Sequence, residues 1–241
     1  MLPPGKQGMV IWIADPGSYT LIDPVLEIEN SHGQRERFTM LQRWPARMPR
    51  PSAEPLACDR PLLTGQRVLD VAFPCAHGGT CCLPSVFGCG ESAAIYSVCA
   101  QSDADAVVYA MCGDRGNQVA ERLLEFPVVS LFCGSATGER HPMMHRAVAL
   151  VNGVDSPAAV QAASPHVALT VAEYLRDGGL NVAVVVDSVT RWADAAADAA
   201  ARRDEFAADP AGLAARVRGL FGRAGKVGRP RPFGSQPVPC N

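Results

Sequence analysis

The chain has 241 residues, of which 48% are apolar and 19% charged, and its formal charge is -2. That balance excludes a disordered chain, and a near-neutral charge supplies no basic field for nucleic acid, so no nucleic-acid partner is expected. A chain of this length can bury about 70% of its unfolded surface without metal or disulfide staples.

No run reaches the roughly 18 apolar residues of a membrane-spanning helix, and the opening MLPPGKQG lacks the apolar stretch of a signal peptide. A cytosolic protein without direct membrane insertion is expected. Nine cysteines, an odd number with no CxxC pair, indicate neither a disulfide framework nor a zinc ribbon, and read as reduced and mostly buried. His141 and His145 have the spacing of a two-histidine metal site on a helix, but Pro142 between them opposes that helix, and the pair reads as structural.

In chain order, residues 1–50 read as a small β-rich segment. Residues 9–13 are a compact apolar run, residues 25–29 alternate with period two, and Ser31-His32-Gly33 reads as a hairpin tip. Pro45, Pro49, Pro51, Pro55 and Pro61 then stiffen a linker, which sets a domain boundary near residue 51. Beyond it, apolar runs at 80–83, 106–111, 147–151 and 181–186 alternate with helical stretches at 117–125 and 170–177. This is the pattern of a mostly parallel α/β sheet with crossover helices. Residues 192–208 read as a further helix. A core domain over 51–221 and a disordered basic tail over 222–241 complete the expected organisation.

In such sheets ligands sit where strands end and helices begin. The loop Phe87-Gly88-Cys89-Gly90-Glu91-Ser92 follows the run at 80–83 and precedes a helical stretch. A P-loop, GxxxxGK[ST], uses glycines to admit phosphates, a lysine to reach them and a hydroxyl for magnesium. Here Ser85 stands at the first glycine and Glu91 at the lysine, so the loop by itself reads as an ordinary glycine turn. Two acids add to it. Asp187 ends the run Val185-Val186, where a carboxylate can orient magnesium or cap the next helix, and Asp114 ends the run at 106–111, where it can serve the same site or a turn.

With these residues in view, the chain resembles the catalytic A subunits of vacuolar-type (V-type) proton-pumping ATPases, in their eukaryotic form. The matching words include Phe38-Thr39-Met40-Leu41-Gln42-Arg43-Trp44-Pro45, Pro61-Leu62-Leu63-Thr64-Gly65-Gln66-Arg67-Val68-Leu69-Asp70, Gly113-Asp114-Arg115-Gly116-Asn117, Ala172-Glu173-Tyr174-Leu175-Arg176-Asp177 and Arg223-Ala224-Gly225-Lys226-Val227. They run in order through nearly the whole chain.

The resemblance implies a RecA-like P-loop NTPase core, here truncated, that works with ATP and magnesium. It implies ATP binding by Phe87, Gly88, Cys89, Gly90, Glu91 and Ser92, magnesium on Ser92 and Asp187, and catalytic positions at Asp114 and Arg115. It implies B-type subunits and a central stalk as partners, ATP hydrolysis coupled to proton transport, and a peripheral place on the cytosolic face of vacuolar membranes. The departures point to an alternative, a catalytically inactive truncated paralogue that acts as a binding partner of B-type subunits. Glu91 puts a repulsive charge at the lysine position, Asp114 is one methylene shorter than the family's glutamate, and Gln161-Ala162 stand where the family has an Arg-Glu pair.

Overall fold

A computed structural model describes residues 6–52, 54–84, 89–128, 130–131, 141–202 and 210–228, and no helix among them is long and apolar enough to cross a membrane. The chain divides into two compact units, residues 1–51 and 52–241. In the first, β1 (Met9–Ile13), β2 (Pro24–Glu29) and β3 (Arg35–Thr39) form an antiparallel sheet in that order. Period-two alternation on β2 turns Leu26 and Ile28 inward, where they pack with Phe38 of β3. Gly33, at φ 73°, supplies the left-handed turn between β2 and β3.

The second unit begins with short pairings: β4 (Pro55–Leu56), β5 (Pro61–Leu62), helix α1 (Arg67–Ala72) and β6 (Cys75–Ala76), with β5 antiparallel to β6. Its centre is α2 (Glu91–Gln101), β7 (Ala106–Asp114), α3 (Gly116–Val128), β8 (Ser130–Leu131), β9 (His141–Pro142), a 3-10 turn at Met143–His145, and β10 (Ala147–Gly153). Helix α4 (Ala158–Asp177), β11 (Val182–Asp187), α5 (Val189–Ala201), α6 (Pro210–Phe221) and β12 (Lys226–Val227) follow. The main sheet is parallel, in the order β10-β7-β11.

β7 is buried along its whole length and supplies both halves of the core. Val107, Tyr109 and Met111 pack with Ile95, Tyr96 and Cys99 of α2, whereas Val108 and Ala110 pack with Ala168 and Ala172 of α4. Farther along the second face, Cys112 meets Ala162, Trp192 and Leu220. The Trp192 indole N–H donates to the Ala162 carbonyl at 3.0 Å, within the turn of α4 that contains Pro165. Arg146 closes the far end of α2 by donating to the carbonyls of Cys99, Ala100 and Ser102 at 2.9–3.0 Å. These are carbonyls that a helix end leaves without an intrahelical partner, and a cation suits that pole of the helix.

Four expectations are corrected. Residues 80–83 are not a strand: Cys81 and Cys82 are exposed, and only Leu83 joins the core beside α2, so one apolar contact takes the place of a ladder. The proline-rich segment is more than a linker, because β4 pairs with β12 and β5 with β6. The tail expected from residue 222 stays folded through residue 228. Arg223 forms a two-pronged ion pair with Glu173 of α4, Nε to Oε1 at 2.8 Å and Nη2 to Oε2 at 2.7 Å, with both side chains only 4% exposed. Of the described cysteines only Cys99 and Cys112 are buried, since residues 58–89 carry few elements that could cover the others.

Arg223→Ala takes the guanidinium from the buried Glu173 carboxylate, and is expected to cost about 3–5 kcal/mol, read as a lower denaturant midpoint. Burial pushes the thiols of Cys99 and Cys112 up to about 12 from an ordinary value near 9.0. Their protonated forms therefore favour the fold. That contribution is complete below about pH 9 and is lost as pH rises toward 12. Mass-spectrometric mapping of thiol labelling at pH 8 should find Cys58, Cys81, Cys82 and Cys89 modified in the folded chain, and Cys99 and Cys112 only after unfolding.

Candidate functional site

Two parallel strands deliver a carboxylate each to one end of the sheet. β7 ends in Asp114 and β11 in Asp187, and Asp187 stands in register with Met111 of β7. The pairing of β7 with β10 slips at Gly113, which adopts φ 70°. Such a bulge re-aims the residue that follows. A Cβ at Gly113 would also come within 3.0 Å of Gln161 Oε1.

Asp114 is fully buried, and two arginines answer its charge: Arg122 Nη1 donates to Oδ2 at 2.8 Å, and Arg191 Nη1 donates to Oδ1. Burial pushes the Asp114 carboxyl above its ordinary range, and Arg122 and Arg191 pull it back only in part. Asp187 Oδ2 accepts from the Tyr109 hydroxyl at 2.7 Å and from Arg122 Nη1 at 2.5 Å. Burial and the Asp187 charge push the Tyr109 phenol far above its usual value, so it stays protonated and donating. For Arg122, burial by itself works against the charged form, but Tyr109, Asp187 and Asp114 more than offset it and hold the guanidinium charged.

Helix α2 opens at Gly90, whose φ of 78° is a left-handed conformation suited to glycine. A helix N-terminus attracts anions. Glu91 is the first residue of this helix, so the sequence places an acid where a phosphate site needs a cation. Phe87 and Gly88 lie outside the described residues, as do the side chains of Glu91 and Ser92. Cys89 is exposed.

Asp114 and Asp187 thus meet at one arginine, whereas Arg115 does not pair with Asp114. It is exposed and lines an open cavity of about 640 Å3 together with Gly113, Gln161, Arg191, Asp194 and Asp198. The Gln161 side-chain amide donates to the carbonyls of Val154 at 3.1 Å and Ser156 at 2.7 Å and clasps the β10–α4 connection. Sequence reasoning missed Arg122 and Tyr109. The available signal for the first was a cation six residues past the start of a helix that leaves a strand-end acid, and for the second a hydroxyl within an otherwise apolar run.

The Asp187 oxygen Oδ2 does not fit the magnesium ion expected on it. It is already shared by a guanidinium and a phenol. Magnesium demands near-ideal octahedral geometry from oxygen ligands.

Against known proteins, the family model described as "ATP synthase alpha/beta family, nucleotide-binding domain" matches residues 65–235, and that of the "ATPsynthase alpha/beta subunit barrel-sandwich domain" matches residues 1–47. The chain is 44% identical over 230 residues to the catalytic A subunit of the V-type proton ATPase of Cyanidium caldarium, covering 94% of this chain and 38% of that protein. To the Zea mays protein of the same description it is 46% identical over 229 residues, covering 94% and 40%. It therefore spans about two fifths of the length of these relatives. Among solved structures, a prototypical ATPase from the type III secretion system of pathogenic bacteria superposes with a TM-score of 0.59 at 29% identity, over 83% of this chain and 54% of that one.

Tyr109→Phe removes a hydrogen bond to a buried carboxylate, and is expected to destabilise the chain by about 1.5–3 kcal/mol in a denaturant titration. A loss below about 0.5 kcal/mol would mean that Arg122 alone satisfies Asp187.

Proposed function

The chain belongs to the ATP synthase alpha/beta family, and on that premise we propose that it is the nucleotide-binding portion of a V-type proton ATPase catalytic A subunit, with ATP as its nucleotide. The observation that carries this reading is the pair of strand-end carboxylates, Asp114 and Asp187, on adjacent parallel strands of a unit that also holds the Gly90-led helix N-terminus. The loop 87–92 would receive the phosphates on the backbone N–H groups at the start of α2. Asp114 would stand nearest the attacking water, and Arg115 would face the neighbouring subunit from the rim of its cavity. ATP hydrolysis coupled to proton transport would be the activity of the whole assembly, built with B-type subunits and a central stalk on the cytosolic face of a vacuolar membrane. Co-purification with a B-type subunit checks that assembly. A chain that ignores the B-type subunit removes the assembly role.

A second reading, a non-hydrolysing member of the same family, is favoured by Glu91. At an effective dielectric of about 20, two unit charges 4 Å apart interact by roughly 4 kcal/mol, so replacing attraction by repulsion at the triphosphate forfeits several kcal/mol of binding. The shorter Asp114 adds to this, since a displacement of about 1 Å in a reacting group can cost on the order of 100-fold in rate.

Titration of the purified chain with a fluorescent ATP analogue, beside Glu91→Lys, separates the two. Weak binding by the unmodified chain, a clear gain with lysine and no steady turnover by the unmodified chain are expected. Tight binding with sustained turnover by the unmodified chain sinks the non-hydrolysing reading, and no binding by either form sinks the nucleotide site itself.

A further inference from the structure

Helix α3 leaves the end of β7 and brings Arg122 back against it, with the side chain only 13% exposed. A single nitrogen, Nη1, lies 2.8 Å from Asp114 Oδ2, 2.5 Å from Asp187 Oδ2 and 3.4 Å from the Tyr109 hydroxyl. One positively charged atom therefore touches the carboxylates that end both strands. A magnesium ion held by the same two acids would need to lie about 2.0–2.1 Å from those oxygens. It would fall on the space that the guanidinium fills.

Three properties make this arginine a fixture. Its charge cannot be lost by deprotonation in a protein. Its counter-charges are themselves buried, Asp114 at 0% and Asp187 at 7% exposure, so moving it away takes the shared cation from two buried carboxylates. Asp114 is also held from its other side, since its second oxygen accepts from Arg191 of α5.

We propose that Arg122 is the resident cation of the strand-end site, occupying the position a divalent metal would take between Asp114 and Asp187 and so excluding the metal. The strand ends are neutralised from within the chain, and the site is metal-free by construction. This rests on the nucleotide-site reading only for why a metal would be looked for there. Its test uses no nucleotide, so a failure of ATP binding and a failure of this inference are separate results.

Manganese(II) serves as the probe, and its free-ion paramagnetic resonance signal is followed as the full chain is added. The unmodified chain is expected to leave that signal unchanged. Arg122→Leu should remove ion from solution with an affinity at least about tenfold higher, because two buried like charges then share one site with Arg191, on the far oxygen of Asp114, as their remaining cation. Adding Asp187→Asn to Arg122→Leu should abolish the gain. Arg122→Gln, which keeps a hydrogen-bonding amide on a shorter, uncharged side chain, is the second variant if the leucine form does not fold, and it should show the same gain. Saturable manganese binding by the unmodified chain that Asp187→Asn removes overturns the proposal. So does the absence of binding in both folded neutral variants, since the acids are then no metal site with or without the arginine. If neither variant folds, the unmodified chain decides: binding lost with Asp187→Asn overturns the proposal, and no binding supports it.

Discussion

All nine residues of β7 are buried, and this constraint reaches from the core to the site. Both faces of the strand are committed to packing, Val107, Tyr109 and Met111 against α2, and Val108 and Ala110 against α4. The strand therefore cannot turn its last residue toward water, and Asp114 ends in the same dry environment as the apolar residues before it. A carboxylate so placed must be paired or neutralised. Arg122 from α3 and Arg191 from α5 do this, and in doing so they tie two helices to the end of the sheet. The same burial explains Tyr109. Its ring belongs to the α2-facing core, and its hydroxyl, which could not be left without a partner, finds Asp187 on the adjoining strand.

The parts legible in the sequence are those that one segment determines by itself. Strands β7, β10 and β11 are continuous apolar runs, β7 because it is covered on both faces, and the acid that stops two of them can be read directly. The start of α2 could be placed from Gly90, because a left-handed residue at a helix start favours glycine. What stayed hidden depends on two distant segments meeting. Arg122 lies 65 residues from Asp187, and along α3 it is one more charge on an amphipathic helix, indistinguishable from a solvated one. Arg223 sits in a basic, proline-rich stretch whose composition suggests disorder, and only its meeting with Glu173, 50 residues earlier, shows it to be a buried anchor. Residues 80–83 failed in the opposite sense, because an apolar run needs a paired edge to become a strand and only Leu83 found the core.

On the proposed nucleotide-site reading, Glu91 and Arg122 reverse the usual distribution of charge at a phosphate site. A nucleotide site of this family sets a cation on the loop and acids at the strand ends; here the loop carries an acid, and the strand ends carry an arginine between their acids. Neither change conflicts with the fold. An acid in the first turn of a helix is favoured by the helix dipole, and a guanidinium between two buried carboxylates relieves a charge problem that β7 would otherwise impose. Arg122 reaches the core through Tyr109, whose hydroxyl lies 3.4 Å from its Nη1, whereas Trp192, Ala162 and Ala168 belong to the packing on the other face of the sheet. Stability and chemistry therefore meet at Arg122, which answers the buried charge of β7 and sets the charge of the strand ends. Descent can be read from the core, but activity has to be argued from the charges at the strand ends.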